Sequence, residues 1–195
     1  MNMTHPEKHP DDRTPLQQHG FSLLEVILVV AITLVLTAMT ARSMGGAIGN
    51  YRLNTTSRNL TALAQLAKVK VTARDTRYRI STSGSTYQLD RFDRTTSTWV
   101  MESNTAAYNL APGVTFSTTG ITTAPPIESP TPAVTQATNM TFNTRGLLID
   151  DATGAAVNSR CFYLRGVPRY PNAVCSSLAG RSVVYRWDGG NWIVQ

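Results

Sequence analysis

Side chains with chemical potential fall at three places along the 195-residue chain. Glu25 is the one charge in FSLLEVILVVAITLVLTAMTA, the run from Phe21 to Ala41. A carboxylate in such a run costs about 2.5–3.5 kcal/mol if the segment spans a bilayer, so it ordinarily has a partner and a task. Cys161 and Cys175 are the two cysteines and belong to no CxxC pair. In an exported chain they read as one disulfide closing a loop of about 15 residues, worth roughly 3 kcal/mol of chain entropy. In the last third, Arg160, Arg165, Arg169, Arg181 and Arg186 interleave with Tyr163, Tyr170, Tyr185, Trp187 and Trp192. Guanidinium groups contact phosphates and aromatic rings offer stacking faces, so the pattern suits single-stranded nucleic acid. It equally describes an Arg-rich, solvated β surface.

Other chemistry has little to work with. The three histidines, His5, His9 and His19, all precede the apolar run, so none follows to complete a zinc site with the cysteines. No Gly-rich phosphate loop is present, and Asp150-Asp151 sits in turn-rich sequence, where it reads as a loop cap. No catalytic residue, metal site or cofactor is expected. The formal net charge of +6 permits an anionic partner without requiring one.

The apolar run is the element that must place Glu25. As a helix it is about 30 Å long, the thickness of a bilayer's hydrocarbon core, and Arg42 ends it. Residues 1–20 are polar, with Glu7, Asp11 and Asp12 against Lys8 and Arg13. A secretory signal would need a basic n-region and a shorter apolar run. A plain membrane anchor leaves Glu25 unexplained.

The order Gly20-Phe-Ser-Leu-Leu-Glu25 directly before an apolar run resembles the class III signal of type IV prepilins and type II secretion pseudopilins. The resemblance implies cleavage by an aspartic prepilin peptidase between Gly20 and Phe21, N-methylation of Phe21, and a requirement for Glu25 in assembly. It also implies a bacterial inner-membrane, single-pass precursor with its head in the periplasm. The other major and minor pilins or pseudopilins are its expected partners. Cleavage frees an amine one helical turn from Glu25, and in lipid the attraction of that carboxylate for a neighbouring subunit's amine is far stronger than in water. One departure is the leader, which is long and nearly neutral where prepilin leaders carry a short basic run. Its removal takes Lys8 and Arg13 from 18 bases and three acids from 12, leaving 16 against 9, and takes every histidine.

Beyond Arg42 helical spacing continues. Met44, Ile48 and Tyr51 form one apolar stripe, and Leu60, Leu63, Ala64, Ala67 and Val71 a second. One long helix from about Phe21 to Arg74 is predicted, bending or locally unwinding at Gly45, Gly46 and Gly49, since each glycine costs about 1 kcal/mol there. A plain linker between anchor and domain is the alternative. From Tyr78 the period becomes 2. Strands are predicted at 78–82, 85–91, 98–102, 114–117, 140–142, 147–149, 160–165, 181–187 and 191–194, with a hairpin turn at Ser83-Gly84. Residues 118–139, Thr- and Pro-rich, are predicted as a loop.

The expected fold is α+β. A long N-terminal helix, transmembrane in its first half, packs on a small antiparallel β-sheet head, with a second C-terminal sheet. The domains are a removed leader (1–20), an assembly helix (21–41), an amphipathic continuation (42–77) and a β-rich head (78–195). Thr141-Phe-Asn-Thr-Arg-Gly146 and Gly180-Arg181 with its following strand resemble motifs of the GspH/FimT group. That group implies a minor component at or near a filament tip, non-catalytic, of a type IV pilus or a type II secretion pseudopilus. Some members of its FimT branch take up DNA through Arg residues near a C-terminal Gly-Arg, which makes DNA a second expected partner; here Arg186 comes later than that pattern expects.

Overall fold

The computed structural model describes residues 22–103, 105–127, 133–166 and 170–195. The predicted leader, Gly20, Phe21 and Arg169 lie outside the described residues. The chain divides into two compact units, residues 1–42 and 43–195.

The first unit contributes the opening of α1 (Leu23–Arg74). Every side chain from Leu23 to Met39 is exposed, and the segment is long and apolar enough to cross a membrane. Thr33 Oγ1 lies 2.9 Å from the Val29 carbonyl and 2.8 Å from that of Val30, and Thr37 Oγ1 donates to Thr33 O at 2.6 Å. Hydroxyls turned onto their own helix need no water, which suits hydrocarbon surroundings.

In the second unit α1 runs through Gly45, Gly46 and Gly49 without unwinding, which corrects the expectation of a local break there. Helix propagation is cooperative, and with good helical sequence on both sides the glycine penalty is outweighed. The helix ends where Asp75 takes a left-handed conformation (φ 46°). Its buried stripe holds Leu53, Ser57, Leu60, Leu63, Ala64, Ala67 and Val71, including all five residues predicted for it. The other predicted stripe is not a core face: Met44, Ile48 and Tyr51 are exposed, because the apolar contacts begin only at Leu53.

Two antiparallel sheets meet this helix. Sheet A comprises β1 (Tyr78–Ser83), β2 (Thr86–Asp93), β3 (Thr98–Met101), β4 (Tyr108–Asn109), β6 (Asn139–Phe142) and β7 (Leu148–Ile149). Its order is β3-β2-β1-β6-β7, with β4 beside β3 on the edge of β2. Sheet B comprises β5 (Thr115–Phe116), β8 (Ser159–Arg165), β9 (Asn172–Ser177), β10 (Ser182–Trp187) and β11 (Trp192–Val194), ordered β11-β10-β9-β8-β5. The α+β class and the two sheets match the expectation. The centre of sheet B does not: β9 is absent from the predicted strands, yet all six of its residues are buried. It pairs with β8 and β10 throughout.

One core joins the helix stripe to Ile80, Leu89, Met140 and Phe142 of sheet A and Phe162, Leu164, Val174 and Val184 of sheet B. The opposite face of sheet B carries Cys161, Tyr163, Ala173, Cys175 and Tyr185. The described residues of the predicted loop 118–139 hold no strand before Asn139, where β6 begins, and cover that face with Ile121, Ile127 and Val134. Trp192 fastens the segment by donating its indole N–H to Thr123 O at 2.7 Å. Cys161 and Cys175 are register partners in β8 and β9 and form a disulfide, as read from the sequence.

Candidate assembly segment and head surface

Ser22 opens the helix: its carbonyl accepts from Glu25 N at 2.9 Å and Val26 N at 3.2 Å. Glu25 is therefore in the first turn, where a carboxylate is favoured by the helix dipole. It is exposed, with apolar Leu23, Leu24, Val26, Ile27 and Leu28 around it. The segment presents one anionic group at the start of an uncovered apolar rod, and such a group needs a cation from outside the helix if the rod enters lipid.

The four described arginines of those singled out in the last third do not form one cluster of unpaired charges. Arg160 is half-buried and ion-paired with Asp150, and its Nη1 donates to Asn139 Oδ1 at 3.2 Å. Asp150 also accepts from the N–H groups of Thr153 and Ala152, which with Arg160 hold its carboxyl below the usual carboxylate range. The expected loop cap is thus present. Arg165 is exposed and donates to Thr119 O at 3.1 Å. Arg181 and Arg186 are exposed and form no ion pair among the described residues. The rings on either side of Arg186 are buried, Tyr185 at 5% and Trp187 at 7% exposure, so neither offers a stacking face.

The structure also assembles groups that the sequence reading missed. Arg77 stacks over Phe92 at 3.9 Å from the ring centroid and Arg79 over Trp99 at 4.5 Å. The two rings meet edge to face at 5.2 Å. Only register reveals this set, because Phe92 and Trp99 are partners across β2 and β3. Arg79 is further held by Asp90 at 3.0 Å and Asp151 at 2.7 Å. Glu102, 1% exposed, accepts from Lys70 at 2.7 Å and Tyr78 at 3.1 Å and lies 3.2 Å from Arg74. Burial pushes its carboxyl pKa up, but the hydrogen bonds from Lys70 and Tyr78 and the charges of Lys70 and Arg74 outweigh this and hold it low. Among the described residues no group of three His, Cys, Asp or Glu side chains could hold a metal ion.

The two head motifs meet around one lysine. Asn143 Oδ1 caps the first turn by accepting from Arg145 N and Leu147 N, each at 3.0 Å. Gly146 (φ 76°) and Gly180 (φ 72°) abut, and the stem of Lys68 runs past both before its Nζ donates to Ala179 O at 2.9 Å. A Cβ on Gly180 would collide with the Gly146 carbonyl oxygen, and one on Gly146 would sit 3.2 Å from Lys68 Cγ. The arrangement ties both turns to the helix and fixes the loop that carries Arg181.

No curated protein and no solved structure matches the chain. A family model does, over the segment that holds Glu25. Across residues 16–41 the chain carries the prokaryotic N-terminal methylation motif, the type IV pilin signal, and is consistent with a type IV pilin-like protein.

Proposed function

We propose that the chain is a minor pilin or pseudopilin, a non-catalytic subunit of a type IV pilus or a type II secretion pseudopilus, in its tip or initiation complex. In this reading prepilin peptidase cuts between Gly20 and Phe21, and Phe21 becomes the N-methylated terminus. Glu25 then neutralises the amine of an adjacent subunit within the inner membrane, which favours moving the subunit from lipid into the bundle. The observation that carries the reading is Glu25, exposed in the first turn of an uncovered apolar helix inside the methylation motif. Glu25→Ala should leave membrane insertion and head stability unchanged while abolishing co-purification with the major pilin. Intact mass should give a chain beginning at methylated Phe21. Wild-type co-purification by Glu25→Ala, or a terminus beyond the apolar run, overturns the reading.

A second reading adds DNA capture by the head, and the exposed, unpaired Arg181 and Arg186 favour it. Phosphate contact rather than base stacking would then supply the affinity, so binding should weaken steeply with salt. The full chain in detergent should lose most of its affinity for single-stranded DNA in the Arg181→Ala/Arg186→Ala variant. Unchanged binding removes this role for the pair.

A further inference from the structure

Among residues 43–195 every described side-chain carboxylate is already committed. Asp75, Asp90, Glu102, Asp150 and Asp151 stand in ion pairs. Asp93 caps a turn by accepting from Thr95 N, and Asp188 caps another by accepting from Gly190 N and Asn191 N. Three cations are left without a carboxylate at the junction of the two motif turns. Arg145 and Arg181 are exposed, and neither side chain has a hydrogen bond or ion pair among the described residues. Each adjoins one of the abutting glycines, Gly146 and Gly180, so chain geometry holds the two Cα atoms within about 14 Å of each other. The stem of Lys68 passes both glycines, and its Nζ donates one N–H to Ala179 O at 2.9 Å, which leaves two N–H groups for a further acceptor. Like charges held this close repel one another, and an anion from outside is attracted by all three.

We infer that Lys68, Arg145 and Arg181 together form a contact surface for the phosphodiester backbone of DNA. The inference rests on the second reading above, DNA capture by the head, and redraws the surface that performs it. Arg186 lies about 17 Å from Arg181 along β10, opposite Ile193 of β11 and away from the two turns. Arg145, not Arg186, is therefore the partner of Arg181. A DNA strand carries a phosphate about every 3.4 Å, so a span of about 14 Å meets several at once, and each guanidinium can fork onto two phosphate oxygens. Gly146, Ala179 and Gly180, which lie between the cations, bring no ring to stack a base and no long apolar chain to seat a protein side chain. The surface offers charge alone, which favours a polymer charged at every residue over a peptide with scattered acids. Such contacts hold a backbone without reading its bases, so single strands and duplexes of any sequence should bind.

The test titrates fluorescein-labelled DNA of mixed sequence, single-stranded and duplex, with the full chain in detergent, read by anisotropy between about 50 and 200 mM salt. Polyglutamate is the competitor that stands for an acidic protein. Arg145→Ala and Arg181→Ala should each weaken binding about five-fold and lower the slope of log K against log salt by about 0.7–0.9, one phosphate contact. Arg145→Lys should recover most of the loss, and Arg186→Ala should bind as the wild type does. Lys68→Met keeps a stem against the glycines and should lose a contact of the same size; if it does not fold, Arg145→Ala, whose side chain has no bonded partner, carries the test. Wild-type DNA binding that Arg145→Ala leaves unchanged overturns this inference while the second reading stands. No DNA binding at all overturns both. Displacement by polyglutamate at a lower charge concentration than by unlabelled DNA gives the surface to an acidic protein and overturns the nucleic-acid assignment.

Discussion

Substituting Gly180 by alanine tests whether the two motif turns are locked against each other around Lys68. The added Cβ introduces two costs. A left-handed backbone (φ 72°) costs a non-glycine residue about 1–2 kcal/mol. The clash with the Gly146 carbonyl and the 3.2 Å approach to Lys68 add overpacking strain of about 1–3 kcal/mol. A loss near 3 kcal/mol should lower the melting temperature by about 6–12 °C, at about 2–4 °C per kcal/mol for a domain of this size. Gly154→Ala is the control, because Gly154 has nearly the same φ, 71°, and nothing within 4 Å of its added Cβ; only the backbone cost should appear. Both variants are melted in detergent and followed by Trp fluorescence, since Trp187 and Trp192 lie 5.1 Å apart beside this strand. Equal losses in the two variants would refute the claim that contact, rather than conformation, requires glycine at 180.

Glu102→Gln should cost about 1–3 kcal/mol. That is below the roughly 3–5 of a fully buried pair, because Lys70 and Arg74 keep some solvent contact. Because the folded carboxyl is held below its unfolded value, its stabilisation is present above about pH 4.5 and fades as pH falls through the folded pKa. Acid melts of the wild type and of the glutamine variant should therefore converge at low pH; parallel curves would contradict this. Replacing Cys161 and Cys175 together by alanine should cost about 3 kcal/mol, and reductant should then shift the wild-type melt but not the variant's.

The helix stripe from Leu60 to Val71 was legible because one face is buried against one core, so the 3.6-residue period survives intact. Asn172–Ser177 was not, because β9 is buried on both faces, and a strand covered on both sides by small residues shows no alternation. Its signal was indirect: Cys175 needed a strand position opposite Cys161. The helix does not unwind at the glycines because local propensity is a weak prior inside a long cooperative helix. Glu25 could be singled out from the sequence since a lone acid in an apolar run is costly wherever it lies. The Arg-aromatic pattern of the last third was legible only as composition, as spacing alone cannot show that Arg160 is paired with Asp150 or that Trp187 is buried. Conversely, the stack of Arg77, Phe92, Trp99 and Arg79 is scattered over three strands and the residue before β1, and exists only once they are aligned.

The wiring of the head has a consequence for how it is made. Asn172 donates to Asn54 and Ser57 across 118 and 115 positions, and Lys68 reaches Ala179 across 111. The strand in the middle of sheet B thus reaches the helix only through contacts more than a hundred positions apart. Contacts so distant along the chain close slowly, because the entropy of the intervening loop is lost before they form. Until then the helix face from Leu53 to Val71 lacks the cover of Phe162, Leu164, Val174 and Val184. Newly made molecules should therefore pass through a sticky, protease-sensitive stage that ends only when sheet B docks.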